Sequence, residues 1–442
     1  MKKIISFLII FPILTAATII PYWTGIETER QLDYFNQRFY PANHLKLLES
    51  TFQRGWLRST ALSTFETREK IQENTKKPRF IFVHEIDHGF VPIQPIVINT
   101  RLHALEPDAP LSETTNKAVL LKAHTTVQTN GDSLSTLKVP ALAFKDNRAN
   151  LQWQNIQGNI FVKENSTIQA EIDSPQIQID TDQGKIVIQG ITFNADLEIN
   201  ADLENHKKVM QGVGHLSITE VRLTAQEIPP IQIEEIKLIG DSKIINDYLT
   251  IKLKTDLQQI QIDTDHYGQS YGDIEIHHWH MPTLNQIKKT WEEIRHQDFS
   301  PSQQANVAKF RLMPLALTFL NKSPELALTN LNVKTPQGEL RGGLQIKMKP
   351  LKGGIFAFLN PSSFINALNA QLELHIPQSL LDILIEDENI DNTIRQRLKT
   401  WKEKGILKRN DAAPGYYYSQ IQLSEGILQV NGEQKPIATI LF

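Results

Sequence analysis

Along "ITFNADLEINADLE" every odd position from Ile191 to Leu203 is apolar and every even position is polar. A period of two places Ile191, Phe193, Ala195, Leu197, Ile199, Ala201 and Leu203 on one face of a β-strand and leaves the other face to water. At ~3.3 Å per residue such a strand runs about 45 Å, well beyond the usual length of roughly five to six residues. The same alternation recurs with shifts of parity. Leu249, Ile251, Leu253 and Leu257 share one register and Ile260 and Ile262 the other, which predicts a β-bulge or bend between Leu257 and Ile260 and a sheet that curves. "IQIDTD" occurs at Ile177 to Asp182 and again at Ile260 to Asp265. It reads either as an internal repeat or as two hairpins with Asp-rich turns.

Helical periodicity is confined to shorter stretches. Ile26 to Tyr40 reads as a membrane-proximal helix closed by Pro41. Leu284, Ile287, Trp291 and Ile294 form one stripe of an amphipathic helix. Ser300 and Pro301 supply the N-cap and first position of a second helix, which Pro314 is expected to bend or end. A third carries Ile390, Ile394, Leu398 and Trp401 on one face, and hairpin turns are expected at Pro336 to Gly338 and at Asn431 and Gly432. The expected fold class is mainly β with helices (α+β): an N-terminal transmembrane helix, a large curved antiparallel sheet of long strands, and amphipathic helices packed against it. The expected organisation is a signal anchor over 1–24, a membrane-proximal helix over 25–48, a long-stranded β region over 49–283, a helical pair over 284–325, and an α+β region over 326–442 that completes the sheet.

Several motifs invite chemistry. "HEIDH" from His84 to His88 fits the zinc-protease pattern H-E-x-x-H, which needs a helix to bring both histidines to one metal with Glu85 as base. The lead-in "RFIFV" is β-branched and aromatic, and Gly89, Pro92 and Pro95 follow, so a strand ending in a turn is expected and Glu85 points away from the histidines. "GQSYG", Gly268 to Gly272, fits the nucleophile elbow, but that elbow needs a strand before Ser270 and a helix after it. Both flanks alternate like strands. His277, His278 and His280 form a histidine cluster, read as a metal site or as the polar face of a strand. Asp180, Asp182 and Gly184 brush a calcium-loop pattern without its closing glutamate. No catalytic, cofactor-binding or metal-binding residue is assigned, and no cofactor is expected.

The chain has 442 residues, of which 40% are hydrophobic, enough to bury a core across two or three domains. Its net charge of −3, with no basic stripe, makes nucleic acid an unexpected partner. The absence of cysteine excludes thiol catalysis and disulfides. Lys2 and Lys3 precede an uncharged run from Ile4 to Ile20, and Tyr22 and Trp23 follow it. That order predicts an uncleaved anchor in the inner membrane with the bulk of the chain in the periplasm. The alternative is a signal peptide cleaved near Thr15, Ala16 and Ala17.

The order of features resembles the YdgA-like family of Gram-negative envelope proteins, whose biochemical function is unassigned. The likeness rests on "YWTGIE" with Tyr22, Thr24, Gly25 and Glu27, on Arg54 and Gly55, and on "DHGFVP" with Asp87, His88, Gly89 and Pro92. Further on it rests on "YGDIEI", "NLNVKTPQGEL" and "EGILQVNG" with Gly426, Asn431 and Gly432. The resemblance implies an inner-membrane-anchored periplasmic protein and assigns His88 to a turn. The expected function is a non-catalytic binding or scaffolding module of the cell envelope, with an apolar ligand or lipid, or an envelope protein, as partner. The alternative is a periplasmic hydrolase, metal-dependent or serine-type.

Overall fold

The period-two segments become strands in the computed structural model, which describes residues 26, 28–30, 32–33, 45–67, 77, 79–88, 95–105, 119–145, 149–164, 166–201, 208–226, 228–295, 297, 299–351, 360–387 and 391–437. The protein is mostly β with few helices, and every strand pair described is antiparallel. Contacts divide it into two units, Met1–Met210 and Gln211–Phe442.

In the first unit β1 (Leu45–Gln53), β2 (Arg58–Thr67), β3 (Arg79–Asp87), β4 (Ile96–Leu105), β5 (Val119–Val127) and β6 (Ser133–Val139) pair in succession. The hairpin of β7 (Leu142–Lys145) and β8 (Ala149–Trp153) interrupts that order, and β6 pairs with β9 (Ile156–Lys163) instead. Two long strands follow, β10 (Thr167–Thr181) and β11 (Gly184–Ala201). β10 binds β9 up to Asp173 and β8 from Ile177 onward. Pro175 sits at this change of partner, where a residue without an N–H costs no ladder bond. The 18-residue β11 contains the alternating segment. Its Ala195 is buried while Asn194, Asp196 and Glu198 are exposed.

The second unit runs β12 (Lys208–Ala225), β13 (Ile231–Ile245), β14 (Tyr248–Ile262), β16 (Ser270–His280), β17 (Glu325–Thr335), β18 (Gly338–Met348), β19 (Leu368–Pro377), β21 (Tyr416–Ser424), β22 (Ile427–Val430) and β23 (Glu433–Lys435). The short β15 (Asp265–Tyr267) and β20 (Lys408–Arg409) pair with β14 and β21. Both "IQIDTD" copies end in hairpin turns, at Thr181–Gly184 and at Ile262–Asp265. The Asn431–Gly432 turn has positive φ at both residues, as a two-residue hairpin of primed type requires.

The parity shifts have a common cause. Gly190 (φ 62), Glu235 (φ 49), His278 (φ 56) and Asn330 (φ 54) are left-handed residues inside strands, each where the apolar positions change parity. A left-handed residue turns the chain so that the following side chains regain the face the earlier ones occupied. At His278 and Asn330 the ladder also slips by one residue. The bulge expected within β14 is not there. The β13–β14 register is unchanged from Leu257 to Ile260, and the irregular residue is Glu235 of β13, opposite Gln258.

Helices cluster in the second unit. α1 (Met281–Arg295) and α2 (Pro301–Leu320) fall where periodicity placed them, and Ser300 and Gln303 form a capping box. Pro314 does not end α2, which continues to Leu320 with the Thr318 hydroxyl donating to the Pro314 carbonyl at 3.0 Å. α3 (Pro361–Ala367) and α4 (Gln378–Glu386) were not foreseen, and α5 (Asn392–Glu403) starts at an Asp391 cap. Three apolar clusters result. Leu317, Met348, Leu351 and Ala367 form one, Ile376, Leu381, Leu407 and Tyr417 a second, and Ile406, Ile421, Leu428 and Val430 a third. The expected transmembrane segment over 1–24 lies outside the described residues, as do Gly89 and Pro92. Among the described residues no helix is long and apolar enough to cross a membrane. The described residues between 26 and 33 are helical.

The two faces of β11 should answer differently to charge. Ala195→Asp or Leu197→Asp would bury an unpaired carboxylate and should cost several kcal/mol, whereas Asp196→Lys or Glu198→Lys should cost within about half a kcal/mol. Thermal unfolding of the four variants measures this, and equal tolerance of both faces would refute the assignment of the odd face to the core.

Candidate functional site

The histidines of "HEIDH" stand on or just past β3, where Ala61 of β2 opposes His84. A strand spaces residues four apart by roughly 13 Å, so the two cannot share one zinc at bond lengths of about 2 Å. Each has its own partner instead. His84 Nδ1 lies 2.8 Å from Thr100 Oγ1, and its ring stacks on Phe82. His88 is fully buried, with Nε2 2.7 Å from Ser59 Oγ. Glu85 faces the other way and pairs with Arg101 at 3.3 Å. Burial lowers the His84 pKa to about 4 and also lowers that of His88, although Asp87 opposes the shift there.

Ser270 opens β16 directly after β15, and its hydroxyl donates to the Gly268 carbonyl at 3.1 Å. With strands on both sides and no helix start behind it, the serine lacks the backbone support of a nucleophile elbow. The histidine cluster is dispersed by the bulge at His278. His277 Nε2 meets Glu275 at 2.8 Å, His280 Nδ1 meets Thr283 at 2.8 Å, and His278 packs edge-on against Tyr248. Asp180 of the calcium-like pattern accepts from Gln178 at 2.8 Å. Among the described residues no group of three or more His, Asp or Glu could hold a metal ion.

Two features of the second unit's sheet stand out, one on each face. Opposed residues of an antiparallel pair share a face, and following the register gives a row Leu253, Ile274, Leu328, Leu344, Leu372, Ile421 and Val430. A second row runs Ile251, Ile276, Leu326, Ile346, Ala370, Leu423 and Leu428. Val430 and Leu428 are 2% and 3% exposed, while Ile274 and Leu326, on β16 and β17, are 36% and 39% exposed. Residues of α4, α5 and the Ile406–Leu407 segment pack the β19–β22 end, and the apolar rows are uncovered at β16 and β17, at Ile274 and Leu326. Trp291 of α1 and Phe310 of α2 are also exposed.

The opposite face is polar and holds a hollow of about 1170 Å³ across β16 to β19. The Asn330 bulge and the side-chain-free Gly343 open it. Its carboxylates are engaged. Glu275 lies below the usual range because His277 hydrogen-bonds to it, with Lys252 assisting. Burial would raise Glu325, but Gln345 and Lys347 outweigh that and hold it low. Glu373 meets His375 at 3.1 Å. Asn332, 6% exposed, lines the hollow with a buried Oδ1 that has no hydrogen-bond partner. The arrangement offers hydrogen-bonding groups to a polar ligand and presents no activated nucleophile. Sequence reading missed it because its groups come from four strands, each ordinary alone.

The depressed His84 pKa carries a consequence for stability. Between pH 6.5 and about 4 the unfolded chain binds a proton there that the folded protein refuses, so stability falls as pH drops through that window. This one group should account for no more than ~3 kcal/mol, and His88 adds with the same sign. Urea unfolding at pH 7 and pH 4.5 should show a smaller pH-dependent loss for His84→Gln than for the parent, and identical losses would refute the assignment.

A family model described as "Bacterial protein of unknown function (DUF945)" matches residues 1–438, so the chain belongs to that family. The finer YdgA-like resemblance is compatible with this membership. No curated protein matches, and no solved structure matches.

Proposed function

We propose that this member of an uncharacterised bacterial family is a non-catalytic binding module of the Gram-negative cell envelope that holds a lipid or other apolar ligand on the uncovered rows of its second unit. The observation that carries the reading is the rise in exposure from Val430 to Ile274 along one continuous apolar row. A sheet face that is apolar throughout yet left exposed at Ile274 and Leu326 forgoes burial worth on the order of 1 kcal/mol for each such aliphatic side chain. An apolar ligand would recover it. The hydrolase alternative has less support, since Ser270 sits at a strand start and the two histidines of "HEIDH" are separately engaged.

A photo-crosslinkable phospholipid in vesicles should label full-length protein on peptides containing Ile274 or Leu326. The Ile274→Asp, Leu326→Asp double variant should keep its melting temperature and lose that label. Labelling confined to the N-terminal segment and unchanged in the double variant would overturn the reading.

Membership of the envelope rests on the uncharged run from Ile4 to Ile20 behind Lys2 and Lys3, and the proposal places the bulk of the chain in the periplasm. Intact-mass measurement of native protein from the inner-membrane fraction should find the N-terminus retained. A soluble periplasmic species starting near Thr18 would replace the anchor by a cleaved signal peptide.

A further inference from the structure

The polar face of the second unit carries a line of glutamines that runs out of the hollow. Gln345 opposes Gln371, Gln371 opposes Gln422, Gln422 opposes Gln429, and Gln429 opposes Gln434. All are exposed, on five successive strands of the ladder. At about 4.8 Å between strands the line is ~19 Å long. Its flanks carry charge only near the hollow. Asn369 and Ser424 hydrogen-bond at 3.3 Å on one side, with Lys347 opposite Asn369, and Gln420 lies on the other, with Glu373 opposite it. Singly, exposed glutamines are ordinary residues of a solvated sheet face. Such faces usually mix in charges that keep flat sheets apart, whereas this line is uncharged from end to end and leads into a concavity.

We infer that the glutamine line and the hollow form one groove for an extended, neutral oligosaccharide. Primary amides both donate and accept, so a row of them matches hydroxyls that do the same, without demanding charge. Within the hollow the carboxylates of Glu275 and Glu325 have Lys252 and Lys347 beside them and Arg341 pairs with Glu339, so Glu373, with the His375 imidazole beside it, is a single carboxylate and not a charged cluster that would select an ionic ligand. The buried Asn332 Oδ1 is an acceptor with no partner, and the exposed Tyr271 ring offers an apolar surface to the C–H face of a sugar. A hydrocarbon tail would strand these polar groups. A peptide strand would add at a sheet edge through its backbone, not across a face. The inference is independent of the lipid reading, which concerns the other face.

The test is a panel of neutral hexose and N-acetylhexosamine oligomers of four to eight units, offered to full-length protein in a detergent without a sugar headgroup, with titration calorimetry on those retained. At least one should bind. Gln371→Ala with Gln422→Ala should weaken it about tenfold, the size expected from losing two neutral hydrogen bonds, and Tyr271→Ala should weaken it as well. Both changes are at exposed positions, and the Ile274→Asp, Leu326→Asp variant serves as the control that keeps binding. Failure of the whole panel, or equal affinity of parent and glutamine variant, would overturn the inference. So would a finding that the glutamine variant abolishes self-association and nothing else, since the line would then be a contact between copies.

Discussion

Everything in this protein depends on keeping apolar side chains in phase along very long antiparallel ladders. A strand of 18 residues has many chances to lose phase, because a single irregularity sends every later side chain to the wrong face. The chain meets this constraint with left-handed residues placed where the sequence changes parity. At Gly190 and Glu235 the correction leaves the register intact, since the opposing strand shifts parity at the same point, as Ile177 and Ile260 show. At His278 and Asn330 only one strand is corrected, so the ladder slips. Glycine carries a left-handed conformation without penalty and asparagine with little, but Glu235 must be held there by pairing on both sides.

Phase preserved over so many strands produces two continuous faces whose chemistry no single strand reveals. On one face the helices supply cover only where the chain can reach it. α3, α4 and α5 follow β18 and β19 in sequence and pack at that end. α1 and α2 lie between β16 and β17, where the Trp279 ring meets Phe319 edge-on and Leu317 reaches Met348. Ile274 and Leu326 remain exposed. The uncovered region therefore follows from connectivity as much as from composition.

Much of the architecture was legible in the sequence. The alternation at Ile191 to Ile199, the Ser300–Pro301 helix start and the Asn431–Gly432 turn each depend on local chemistry, and local chemistry is what a sequence displays. α3 was missed although Asn360 and Pro361 form its start signal, because its seven residues are too few to show a helical period. The bulge or bend expected between Leu257 and Ile260 is instead a left-handed Glu235 on the opposed strand, with no register shift, for a related reason. Parity shifts in β13 and β14 occur together, and the sequence does not say which residue of the opposed pair takes the left-handed conformation. The site was less legible still, since Glu275, Asn332, Gln345 and His375 are unremarkable until register sets them on one face.

The motifs that looked most like chemistry fail for the same reason that the diffuse groups succeed. "HEIDH" and "GQSYG" derive their meaning from a helix, which compresses four residues into about 6 Å or presents backbone N–H groups at its start. Placed in strands, the same letters are spread over twice that distance and alternate between faces. A sheet gathers chemistry in the perpendicular direction, about 4.8 Å at a time from one strand to the next. In a protein built from ladders the informative spacing is the register between strands, so a function borne by such a sheet should be sought among residues far apart in sequence and opposed in the ladder, as Gln345 and Gln371 are.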